Sequence, residues 1–215
     1  MQPDFFNIFK SLQNWVETLP EIPIVDLMAS AGDSPWKILV ATMLSSRTKD
    51  AVTAKASARL FEKADTPEKT RFLSEGEIEK LIYPVGFYAT KSANLLKLAE
   101  IIIEKHQSQV PETIDELCAL PGVGIKTASL VLIKAFDKDD ICVDTHVHRI
   151  SNLLGWVSSK NAEETRELLK KLIPLNYWKF INFYLVSLGQ TTCRPAKREC
   201  DKCPISEFCC VGKKL

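Results

Sequence analysis

The stretch "LPGVGIKTA", Leu120 to Ala128, decides the fold: a proline, two glycines and a lysine stand in nine residues between two apolar segments. Thr113 and Glu116 upstream have the spacing of a capping box, which predicts a short helix ending near Leu120. Pro121-Gly122-Val123-Gly124 then turns the chain, and Ile125 onward resumes helical spacing to about Phe136. Glycine tolerates positive φ and close backbone approach, and a helix begins with N–H groups that have no partner inside it. Amides of a tight turn aimed together with a helix N-terminus form an anion site. The plain alternative is a helix–turn–helix connection that binds nothing. Lys126 falls in the first turn after the bend. The positive end of the helix dipole disfavours its ammonium form, and partial burial would push the same way. A deprotonated lysine is a nucleophile able to form a Schiff base, whereas an ordinary lysine is a solvated surface charge.

Working outward, helical periodicity continues in both directions and no run alternates as a strand would, so the fold class is all-α. Phe5, Ile8, Phe9, Leu12, Trp15, Val16 and Leu19 keep the i, i+3, i+4 spacing of an amphipathic helix. Ser34-Pro35 reads as a cap and first turn for a nearly all-apolar helix to about Ser45, which should be central. Further helices are predicted near 50–63, 76–82, 90–106, 113–119, 145–156, 161–172 and 176–188. Pro84, Pro111, Pro121 and Pro174 fall between them, where proline does no harm.

The 215 residues suffice for one large domain or two small ones, and 46% apolar with 26% charged residues is ordinary for a globular protein. A net charge of +1 excludes a grossly basic nucleic-acid binder, so any phosphate affinity must come from local arrangement. The longest apolar run, Ile38 to Leu44, is too short to span a bilayer, and no membrane association is expected. The start, MQPDFFNIFK, lacks the basic-then-apolar order of a signal peptide, which points to an intracellular protein.

Two more segments carry chemistry. In "VDTHVHRI", Val143 to Ile150, Asp144 precedes a helical pattern and can be its N-cap. A carboxylate near a nucleophilic lysine would also stabilise an oxocarbenium-like sugar and help move protons. Five of seven cysteines lie between Cys193 and Cys210, and clustering in one short tail favours metal over disulfides. Cys193, Cys200, Cys203 and Cys209 are spaced C-x6-C-x2-C-x5-C, able to enclose zinc or a [4Fe–4S] cluster. Only Cys200 and Cys203 make a C-x-x-C knuckle, which favours the cluster over a two-knuckle zinc ribbon. Cys210 is the spare and could exchange roles with Cys209, while Cys118 and Cys142 read as inert core residues. Arg194, Lys197 and Arg198, set against Glu199, would let a metal-braced loop make a second phosphate contact, or would simply be solvated.

Taken in order, LPGVGIKTA, VDTHVHRI and the four-cysteine tail resemble the endonuclease III family of base-excision DNA glycosylases, from about Pro35 to Cys209. The eighteen positions between Lys126 and Asp144 match that family's spacing, as the cysteines match its [4Fe–4S] site. The resemblance implies a helix-hairpin-helix motif over about 113–136, with Leu120, Pro121, Gly122, Val123 and Gly124 gripping the DNA backbone. It implies two lobes: a six-helix barrel over 29–138, and a cluster lobe of 1–28 with 139–215. Double-stranded DNA carrying damaged bases or abasic sites would lie across the cleft, with the damaged nucleotide flipped between the lobes. Lys126 would attack C1′ and expel the base, β-elimination would nick the strand, and Asp144 would assist both steps. A monomer in a prokaryote-like cytoplasm or nucleoid is expected.

Single residues refine the subclass. Adenine-excising relatives lack this lysine and carry a glutamate where "ATMLSSRT" has Ala41; thymine-mismatch relatives commonly have tyrosine at position 126. The implied activity is therefore bifunctional, glycosylase with AP lyase, on oxidised or ring-saturated pyrimidines. Arg47 departs from the family, which has glutamine there to fill the gap left by the flipped nucleotide. Arginine can wedge and stack but only donates hydrogen bonds, so the preference for the opposite base need not carry over. Phe87 matches a second wedge position, usually leucine, though a core role is the plain reading. Alternatives are a mismatch or otherwise altered specificity, and a non-catalytic DNA-binding or iron–sulfur redox protein.

Overall fold

The computed structural model describes residues 3–20 and 23–211. Among them are twelve α-helices and no strand. The helices are α1 (Phe5–Val16), α2 (Ile24–Ser30), α3 (Pro35–Ser45), α4 (Asp50–Lys63), α5 (Pro67–Arg71) and α6 (Glu75–Ile82). They continue with α7 (Tyr88–His106), α8 (Ile114–Cys118), α9 (Ile125–Phe136), α10 (Thr145–Leu153), α11 (Ala162–Leu172) and α12 (Trp178–Gln190). No helix among the described residues is long and apolar enough to cross a membrane.

The chain divides into two compact units, Pro23–Lys138 and the remainder, with the N-terminal helix joining everything from Asp139 onward. In the first unit α3 is the central rod. Ser34 accepts the Lys37 N–H, Pro35 opens the helix, and every residue from Ile38 to Leu44 is buried. Its neighbours are α2, α4, α7 and α9. Leu39, Met43 and Leu44 share one core with Leu60, Ile78, Leu98, Leu117, Leu120, Val123 and Val131.

Two helices escape the periodicity argument. α5 is a single turn capped by Thr66. α2, which the expected boundary at residue 29 would assign to the other lobe, packs on α3, α4 and α9. An ion pair fixes it there: Lys134 Nζ on α9 lies 2.5 Å from Asp26 Oδ1, both side chains largely buried. Burial pushes the Asp26 carboxyl above its usual range, and the Lys134 charge pulls it back. The division therefore falls before Pro23.

The second unit is discontinuous in sequence. α1 buries Phe5, Ile8, Phe9 and Leu12 against a core built by Val147, Ile150, Leu185 and Leu188. Phe9 stacks on Tyr177 at 4.3 Å, and Phe5 meets Trp156 edge-on at 5.5 Å. α10 and α12 pack together, and the tail from Cys193 adds two single 3-10 turns, Cys200–Lys202 and Ser206–Phe208.

Candidate functional site

In the first unit, α8 and α9 form the expected hairpin. Thr113 Oγ1 accepts the Glu116 N–H at 3.3 Å, but the Glu116 carboxylate turns to the Thr113 hydroxyl at 2.5 Å instead of the backbone, so the capping box is half made. Leu120 and Val123 send their side chains into the core, whereas Gly122 and Gly124 are exposed. What those two apolar residues can offer a ligand is therefore backbone only. Gly122 has φ +76°, which demands glycine; a Cβ there would also crowd the Asn94 amide at 2.8 Å, which that side chain could relieve by shifting. Gly124 is different: its φ of −100° suits any residue, and a Cβ would meet nothing within 4 Å. Nothing inside the chain requires glycine at 124. α9 starts there without a side-chain cap.

Lys126 is the second residue of α9 and is exposed, so burial does not add to any effect of the helix dipole on it. Cys118, expected in the core, is also exposed, because α8 has only five residues and buries Leu117. Cys142 is buried, in keeping with its apolar flanks.

Arg47 and Phe87 lie on different turns of this unit and meet: the guanidinium sits over the ring, 5.3 Å from its centroid. Both have left-handed backbone, φ 53° and φ 59°, uncommon for residues with a Cβ. Phe87 is 61% exposed, which excludes the core reading. They border a recess of about 600 Å³ of atom-free space, lined also by Met43, Ser46, Thr90, Lys91, Asn94 and Gly122.

In the second unit, Asp144 caps α10: its Oδ1 accepts the N–H groups of His146 at 2.9 Å and Val147 at 2.8 Å. The cap does not use Oδ2. The segment leading into the cap is held hard. Asp140, 4% exposed, accepts from Arg166 Nη2 at 2.7 and 2.9 Å and pairs with Lys170 Nζ at 2.7 Å. Ile141 and Cys142 are fully buried, and Asn182 Nδ2 donates to the Cys142 carbonyl at 3.2 Å. Nothing local in the sequence marks Asp140 or Asn182, since their partners lie 26 and 40 residues away.

Cys193, Cys200, Cys203 and Cys209 line one tight recess walled by Ile150, Leu154, Leu188 and Ile205. Burial, reinforced by the other three sulfurs, pushes the Cys203 thiol up to about 11. Among the described residues no three His, Cys, Asp or Glu side chains converge on a single ion. Cys210 is exposed and turns its Sγ to the Leu154 carbonyl at 3.3 Å, outside the recess, leaving Cys209 as the fourth lining sulfur. Arg149 donates to the Cys193 sulfur at 3.6 Å. Of the loop cations, Arg194 and Lys197 gather on Glu199 at 3.0 and 3.9 Å, joined by Lys202 at 3.0 Å. Arg198 lies on the recess wall, bridged through its backbone to Cys193.

The profile of the "HhH-GPD superfamily base excision DNA repair protein" matches residues 40–175, spanning the hairpin, Lys126 and Asp144. Endonuclease III of Thermotoga maritima is 42% identical over 81% of this chain and 82% of its own length. The chain belongs to the endonuclease III family.

It is a base-excision repair DNA glycosylase. "Endonuclease III homolog 2, chloroplastic" of Arabidopsis thaliana is 46% identical over 80% of this chain, which spans 47% of that longer protein. Among solved structures, a non-covalent endonuclease III–DNA complex superposes with TM-score 0.84 at 34% identity, covering 96% of this chain and 95% of that one. A trapped endonuclease III–DNA covalent intermediate gives 0.79 at 35% identity, covering 89% and 94%. The endonuclease III fold thus accounts for the helices of both units.

Proposed function

We propose that this glycosylase is bifunctional, with DNA carrying oxidised or ring-saturated pyrimidines as substrate, and that it works as a monomer. One observation carries the reading: an exposed lysine follows directly on a hairpin whose second glycine has open space where a Cβ would be. Lys126, Leu120 to Gly124 and Asp144 then take distinct parts. The hairpin amides and the α9 N-terminus hold a backbone phosphate, with Leu120 and Val123 anchoring the turn from inside. The Lys126 side-chain nitrogen attacks C1′; the N–C1′ bond forms as the bond to the base breaks, and the base leaves with the proton that the nitrogen gives up. The C1′–O4′ bond then breaks, O4′ taking a proton, and the opened sugar is held as the Schiff base; loss of a C2′ proton breaks the C3′–O bond, the phosphate leaves and the strand is nicked. Hydrolysis returns the lysine. Asp144 caps with Oδ1 and has Oδ2 to support the developing sugar cation and carry protons.

The four recess cysteines are the proposed ligands of a [4Fe–4S] cluster. Four thiols around one apolar recess, only two of them paired in a C-x-x-C knuckle, support a multi-iron group over zinc. Its part here is to cross-link the tail, which sets Arg194, Lys197 and Arg198 for a second phosphate contact. Glu199 must share Arg194 and Lys197 with DNA, which weakens that contact.

A panel of duplexes with thymine glycol, dihydrouracil, uracil, an abasic site and a G·T mismatch tests the substrate reading. Nicking of the first two and of the abasic duplex is expected. Arg47 in place of the family's glutamine favours a second reading, altered specificity, which release of the mismatched base without nicking of oxidised-pyrimidine duplexes would establish. For the hairpin, Gly124→Ser keeps a good N-cap, so thermal stability should hold. Its new side chain stands where the phosphate must come, and affinity for abasic duplex should fall by about 10-fold or more, read by fluorescence anisotropy.

A further inference from the structure

The turns bearing Arg47 and Phe87 come from separate connections, α3 to α4 and α6 to α7, yet they are locked together from beneath. Lys91, on the first turn of α7, reaches back with Nζ to the Leu44 carbonyl at 2.9 Å, the Ser46 carbonyl at 2.6 Å and Thr48 Oγ1 at 3.4 Å. Thr48 Oγ1 in turn accepts the Gly86 N–H at 3.1 Å. A Cβ on Gly86 would stand 2.5 Å from the Arg47 carbonyl oxygen, so the two backbones touch. The residues flanking Arg47 and Phe87 are therefore fixed to one another by an amine, a hydroxyl and a close backbone approach. The stacking of guanidinium on ring completes the assembly above.

We propose that Lys91 is a positioning residue: its amine pins the Arg47 turn to the Phe87 turn, so that the two side chains enter the duplex as one stacked wedge. The proposal rests on the glycosylase reading in which these side chains fill the space of the flipped nucleotide. An ammonium has three protons, and Lys91 directs all three at protein acceptors, which leaves none for a phosphate. Half-burial, which lowers its ammonium to about 8, marks it as an inward-facing group and not a solvated cation. Left-handed backbone at two non-glycine positions persists only where surroundings over-determine it, and this is the bracing that does so.

Lys91→Met keeps the apolar stem and removes the donors; Thr48→Val removes the shared hydroxyl at constant volume. Three readouts separate the possibilities. In the free protein, tryptic cleavage after Arg47 should quicken by about 10-fold as the turn opens locally. Single-turnover release of a damaged base should slow by about 10-fold or more. Strand cleavage at a preformed abasic site should stay within about threefold, since that nucleotide has no base to unstack. Thr48→Val should reproduce the pattern in milder form, which covers the case in which Lys91→Met does not fold. Wild-type proteolysis and base release in both variants would overturn the proposal, as would an equal fall in both reactions. Arg47→Ala and Phe87→Ala probe the underlying reading by themselves. Should they leave base release intact while Lys91→Met still exposes Arg47 to trypsin, the pin is real but the wedge role is wrong.

Discussion

Lys126→Gln is expected to yield a folded protein that binds abasic DNA and forms no covalent adduct when borohydride is added. The wild-type chain should give an adduct of protein plus DNA fragment, because borohydride reduces the Schiff base to a stable amine. The substitution is mild in structural terms. The side chain is exposed, so no cavity opens, and glutamine is a fair helix former, so α9 keeps its first turn. The chemistry offers no such tolerance. An amide nitrogen is not a nucleophile at C1′, and removal of a covalent nucleophile elsewhere costs on the order of 10³-fold or more in rate. Strand cleavage should therefore fall by at least about that factor, with the unfolding midpoint unchanged. Undiminished adduct formation in the variant would place the nucleophile elsewhere and remove the basis of the proposed reaction.

The second large effect is expected at Cys203→Ser. The Cys203 thiol is pushed up to about 11 by burial and its sulfur neighbours, so a bound iron is what would stabilise its thiolate there. With serine in its place the purified protein should lose the brown colour and visible absorption of a thiolate-bound cluster. The tail is then no longer cross-linked, and Arg194, Lys197 and Arg198 are no longer held in place for DNA. Without these cations on phosphate, the slope of log affinity against log salt should become shallower by about 3, at roughly 0.9 per phosphate neutralised. The unit Pro23–Lys138 has its own core and should keep its helices, so far-ultraviolet circular dichroism should fall only slightly. A colourless wild-type protein containing one zinc would refute the cluster; a colourless Cys203→Ser with an unchanged salt slope would refute its link to the basic loop.

What could be read without coordinates was whatever the chain states locally. Ser34-Pro35 and an unbroken apolar run announce α3; the bend at Pro121 to Gly124 announces the hairpin; Asp144 before a helical pattern announces its cap. What could not be read depends on partners far along the chain. α2 is seven residues without a side-chain cap, and its lone acid is explained only by Lys134 more than a hundred positions later. Cys118 looked apolar by company, but one turn of helix has room to bury only Leu117. Lys91 has no local mark at all: its acceptors lie 43 to 47 residues back, and by itself it reads as another surface lysine. Structure carried by spacing within one helix or one tail was visible, whereas structure carried by tertiary bracing was not.

The split of the second unit across the sequence has a consequence during synthesis. α1 leaves the ribosome ahead of Pro23–Lys138, yet the aromatic partners that cover it, Trp156, Tyr177 and Tyr184, emerge after all of that unit has been made. At about 5–20 residues per second, the greasy side of that helix waits roughly 10–30 s for its cover. Chaperone dependence in this chain should therefore concentrate at α1 and not in its longest hydrophobic rod.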